Sequence, residues 1–123
     1  MKPDWPELQR LAQTEVEATL AELPAPLRER AQPLPVTFER TPNPDLQADG
    51  IEADSLGLFT GPAFADAEHT PAPPQIILFL ENLWDFAEGN AEIFCEEVRT
   101  TYLHELGHYL GLDEDELTER GLE

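Results

Sequence analysis

The chain has 123 residues with 26 acidic side chains against seven basic ones, a formal charge of −19, and it contains one cysteine and one methionine. That length suffices to bury about two thirds of the unfolded surface around one core and leaves no room for a second, so a single domain is expected. The charge repels nucleic acid and anionic membranes while favouring cations, metal ions included, and also serves plain solubility.

At the start, Met1-Lys2-Pro3-Asp4-Trp5 has no apolar run after its basic residue, and no later segment reaches the length of a membrane span. With Cys95 unable to form an internal disulfide framework, these features predict a cytoplasmic protein. Pro6 to Leu23 reads as a first helix, because Leu8, Leu11, Ala12, Val16, Thr19, Leu20 and Leu23 recur at three and four, and Pro24 and Pro26 stop it. Pro33 and Pro35 bracket a linker into a strand over Val36 to Arg40, where Val36, Phe38 and Arg40 alternate with Thr37 and Glu39.

Thr41 to Asp54 is rich in Pro, Asn, Asp and Gly without the spacing of a calcium loop, and reads as a solvated connection. Leu56 to Thr60, with Gly57 near its start and Gly61-Pro62 after it, reads as a strand at a sheet edge. Ala63 to Pro74 follows as a loop in which His69 is a surface residue. Gln75 to Leu80 is almost unbroken in its hydrophobicity, as a central strand covered on both faces should be. Glu81 to Gly89, with Trp84 and Phe86, makes a turn or short helix, and Asn90 caps a long helix running to Leu110. Asp113 to Arg120 reads as a last short helix, with Asp113 and Glu116 spaced as a capping box and Gly121 ending it.

The long helix carries the chemistry. His104-Glu105-Leu106-Gly107-His108 places two histidines four residues apart, one above the other on one face, so both imidazoles reach a single tetrahedral ion. Glu105 lies about 100° further round, where its carboxylate approaches a water on the ion's open position, the place of a general base. On a helical projection Phe94, Cys95, Val98, Tyr102, Leu103, Leu106 and Leu110 form an apolar sector, and Glu97, Thr101, His104 and His108 lie opposite. Cys95 falls among the apolar residues as a small buried hydrophobe. Gly111 offers a left-handed residue at the helix end, redirecting the chain so that Asp113 or Glu114 can turn back toward the ion. The bland alternative is a solvated helix with two surface histidines.

At these residues the chain resembles the zincin-like metallopeptidases, and more closely the very small bacterial proteins of that superfamily sometimes called mini-zincins. The likeness takes in the leading helix ending Ala21-Glu22-Leu23-Pro24, Gly57-Leu58-Phe59-Thr60-Gly61, the apolar strand Gln75 to Leu80, and the H-E-x-x-H helix, which is its specific part. It implies a minimal zincin-like fold of the α+β class, a small mixed sheet packed on an N-terminal helix and a long active-site helix. It also implies zinc as cofactor, His104 and His108 as ligands, Glu105 as general base, and Glu114, three places after Gly111, as third ligand. Extended motifs of the superfamily more often carry His or Asp there, and this chain has no Met-turn, Met1 being its only methionine. If Asp113 caps the last helix it is not available to the ion, which favours Glu114; Asp113 itself and Glu119 are the alternatives.

The expected activity is hydrolysis of a peptide or protein substrate by a metal-activated water, with Glu105 taking a proton and returning it to the leaving amine. The edge strand Leu56 to Thr60 is the expected rim for an extended peptide, and a homodimer covering it is a further expectation. The competing expectation is a catalytically inactive zincin-fold module for metal binding or protein interaction.

Overall fold

The first helix, α1 (Trp5–Glu22), begins where the Asp4 carboxylate accepts the Glu7 amide N–H at 3.0 Å, with Pro6 in the first turn, where a missing N–H goes unneeded. A computed structural model describes residues 2–61 and 74–111 of the chain. The expectations for the 63–74 loop with His69, and for Asp113, Glu114, Glu119 and the last helix, lie outside the described residues.

Leu8, Ala12, Val16 and Thr19 bury one face of α1 as their spacing predicts. A second helix, α2 (Ala25–Ala31), follows almost at once. The prolines at 24 and 26 end α1 without preventing it, since Pro26 occupies a first-turn position and Leu27 and Ala31 supply a buried stripe. The segment read as a solvated connection likewise contains a helix. In α3 (Pro44–Ala48) the Asn43 side chain caps the Leu46 N–H at 2.8 Å.

Three strands, β1 (Val36–Glu39), β2 (Gly57–Thr60) and β3 (Gln75–Phe79), form a mixed sheet in the order β1-β3-β2. β1 runs parallel to β3 with Val36 opposite Ile76, and β2 runs antiparallel to it with Gly57 opposite Leu78. The apolar strand is therefore central, with Ile76, Leu78 and Phe79 fully buried. Among the described residues β2 has a strand neighbour on one side only. The fold is α+β, as expected.

β3 stops at Phe79, one residue earlier than predicted, because Leu80 already opens α4 (Leu80–Phe86). Trp84 of α4 meets Phe94 edge-on at 5.6 Å between ring centroids, which seats α4 against α5 (Ala91–Leu110). Asn90 caps α5 by accepting the Ile93 N–H at 3.0 Å, and Gly111 closes it in the left-handed region at φ 73°. α1, α4, β2 and β3 all pack on α5, so this helix is the core's axis. Cys95 is half-buried rather than fully buried, packed against the core, and that burial pushes its thiol up.

Polar contacts fix the periphery. Arg40 lies over the Trp5 ring at 4.7 Å and donates to Glu81 at 2.7 Å, and Lys2 pairs with the same carboxylate at 3.5 Å. Arg99 of α5 reaches Glu22 at 2.6 Å and the buried Thr19 hydroxyl at 3.4 Å, clasping α1. Asn82 of α4 donates to the Ala53 and Ser55 carbonyls at 2.8 and 2.9 Å, which holds the approach to β2. None of the described helices is long and apolar enough to cross a membrane.

Candidate metal centre

The histidines stand in the last two turns of α5, on the side away from the core, and both are exposed. Their rings meet edge-on, with centroids 4.7 Å apart and planes at 89°, and their Nε2 atoms are 3.2 Å apart. Two nitrogens bound to one tetrahedral zinc at roughly 2.0–2.1 Å stand about 3.3 Å from each other. The separation, which is also that of a direct hydrogen bond between the two ring nitrogens, therefore matches that of two ligands on one ion. The opposite side of the same turns carries Tyr102, Leu103, Leu106 and Tyr109, all buried, so the core fixes the helix rotation and with it the direction of the imidazoles.

Glu105 differs from the two histidines by being buried, with 8% of its surface exposed. Its carboxylate lies 3.9 Å from His108 Nε2, too far for a hydrogen bond, and His104, Glu105 and His108 offer ligand atoms all within 4.8 Å of one another. Burial pushes the Glu105 carboxyl up, against the opposing pull of the His104 and His108 imidazoles. A carboxylate with raised proton affinity beside two imidazoles that could share a metal ion is an arrangement compatible with general-base chemistry. It is close enough to the histidines to serve the same reacting centre.

Beside this group the start of β2 and α5 form a cleft of about 340 Å³, lined by Ser55, Gly57, Glu97, Thr101, His104 and Glu105. Here the structure goes beyond the helical projection. The projection places Thr101 with the histidines on the open side, yet Thr101 is buried because β2 crosses α5 at that point. The crossing is close: a Cβ on Gly57 would stand 2.6 Å from Thr101 Cγ2. The sequence signal for this role is a glycine inside an otherwise apolar strand, which marks close approach. Ser55 was not singled out at all, since nothing local distinguishes it.

Phe59, further along β2, tilts against Tyr109 at 5.7 Å between centroids, a second anchor of the strand on the helix. The strand expected to rim the centre thus runs alongside it. Gly111 turns the chain as predicted, its N–H reaching the His108 carbonyl at 3.3 Å.

A family model described as zincin-like metallopeptidase matches residues 31–122. No curated protein matches the chain. Because that match spans well over half of the 123 residues and includes β2, β3 and the whole of α5, the chain belongs to the zincin-like metallopeptidase family.

Proposed function

We propose that the protein is a zinc-dependent peptidase in which His104 and His108 hold the metal and Glu105 is the general base. The observation that carries this reading is the 3.2 Å separation of the two Nε2 atoms on an exposed helix face, with a buried carboxylate, 3.9 Å from His108 Nε2, one residue from the first of them. Glu114, just past the turn at Gly111, is the third ligand on this proposal. A zinc ion in this set supplies Lewis-acid chemistry, polarising a carbonyl oxygen and acidifying a water.

The remaining work falls to side chains of this chain. Glu105, its proton affinity raised by burial, takes a proton from water and delivers it to the departing amine, so the carboxylate is regenerated each turn. Backbone groups on the side of β2 that has no strand neighbour among the described residues pair with an extended peptide and hold it along the helix. The −19 charge and the lone cysteine favour a cytoplasmic protein acting on peptides or proteins rather than on nucleic acid or anionic membranes, and the same β2 edge offers a surface for a homodimer.

The test is Glu105→Gln. Cleavage of a fluorogenic peptide library falls by about 10²–10⁴-fold while bound zinc is retained. A scaffold that only binds metal or a partner keeps both its zinc and its partner in this variant, and shows no turnover to lose.

A further inference from the structure

Glu97 stands on the same face of α5 as Thr101 and His104, half-buried in the wall of the cleft, and the chemistry described so far leaves it without a role. Its side chain makes no hydrogen bond or ion pair with another described residue, although salt bridges elsewhere occupy Arg10, Arg40 and Arg99. The nearest cation along the helix, Arg99, is turned to α1 by Glu22 and Thr19. Among the described residues no lysine or arginine lines the cleft. Its polar groups are the Glu97 and Glu105 carboxylates, the His104 imidazole and the hydroxyls of Ser55, Thr100 and Thr101.

A volume of about 340 Å³ is at the small end of ligand pockets and suits one long side chain rather than a length of peptide. Its position matters as much as its size, because it opens directly onto His104 and Glu105. Leu56 and the Gly57 backbone supply an apolar wall for methylenes, and Glu97 supplies a negative terminus. The net charge of −19 adds a field that concentrates cations at the surface.

Resting on the peptidase reading, we propose that this cleft is a specificity pocket in which Glu97 selects a lysine or arginine side chain flanking the bond to be cut. The cation lays its methylenes against Leu56 and Gly57 and places its charged head on the Glu97 carboxylate, with the threonine hydroxyls as further acceptors. Glu105 is thereby left to the water, since the basic group is held further up the helix.

The experiment compares two labelled hexapeptides that differ only in a central arginine or its neutral isostere citrulline. Binding is followed by fluorescence anisotropy on zinc-saturated Glu105→Gln protein, where no peptide is consumed. The arginine peptide binds tighter by on the order of tenfold, as one charge-assisted hydrogen bond provides. Adding Glu97→Gln closes that gap. Adding Glu96→Gln, which removes the same charge from an exposed neighbouring position, leaves it open and so separates the pocket from the general field. Equal affinities for the two peptides, a gap that survives Glu97→Gln, or no binding of either peptide overturns the proposal. Turnover by the protein with Glu105 intact is scored separately: absent cleavage with the binding gap present counts against the peptidase, and cleavage without the gap counts against the pocket.

Discussion

Gly57 of β2 and Thr101 of α5 are packed so closely that a single added methyl on the glycine would lie 2.6 Å from Thr101 Cγ2 and 3.3 Å from Leu78 Cδ2. Thr101 is buried and β-branched on a helix, so it has little freedom to retreat. Gly57→Ala is therefore expected to cost about 1–3 kcal/mol in chemical denaturation. Thr101→Ser removes the opposing methyl and recovers part of that loss, giving a coupling above about 0.5 kcal/mol in the double-mutant cycle. Simple additivity would show that the two residues do not meet as described.

The same contact shows where sequence reading succeeds and where it stops. The H-E-x-x-H spacing, the Asn90 cap, the Gly111 stop and the central apolar strand are all local patterns, and each is found in place. The burial of Thr101 and the cleft beside His104 depend on which strand crosses α5 and at what height, and no local pattern encodes that. The strand order β1-β3-β2 is a long-range property of the same kind. The two missed helices have a different cause. Pro26 reads as a stop to the first helix and the composition of Thr41 to Asp54 as a connection, yet Pro26 and Pro44 each sit in a first turn, and Asn43-Pro44-Asp45 is a start signal rather than a loop.

Glu81 gathers Lys2 and Arg40 at the junction of the N-terminus, β1 and α4. The hydrogen bond from Arg40 holds its carboxyl below the usual range, against partial burial and with further help from the charges of Lys2 and Arg40. A carboxyl whose folded value is depressed stabilises the fold above its unfolded value and loses that contribution as pH falls through the folded value. Glu81→Gln should lower stability by under about 1 kcal/mol at neutral pH, because Arg40 is well exposed. Urea midpoints of the two proteins are expected to stay apart above about pH 5 and to converge as the solution is acidified below the carboxylate range. A constant offset across that range would contradict the assignment.

On the proposal for the third ligand, Glu114→Ala weakens zinc binding by more than about tenfold, whereas Asp113→Ala leaves it nearly unchanged. Competition with a chromophoric chelator reads both. The reverse pattern assigns Asp113 to the metal, and a similar loss in Glu119→Ala alone assigns Glu119.

The central claim is that the exposed face of α5 holds one zinc ion through His104 and His108, whose Nε2 atoms are already 3.2 Å apart. Zinc content after equilibrium dialysis at neutral pH, measured on the wild type beside His104→Ala and His108→Ala, tests it most directly. One zinc per wild-type chain, lost in both variants, is the predicted result. Weak binding of equal extent in all three proteins would reduce the histidine pair to surface residues and contradict the metalloenzyme account.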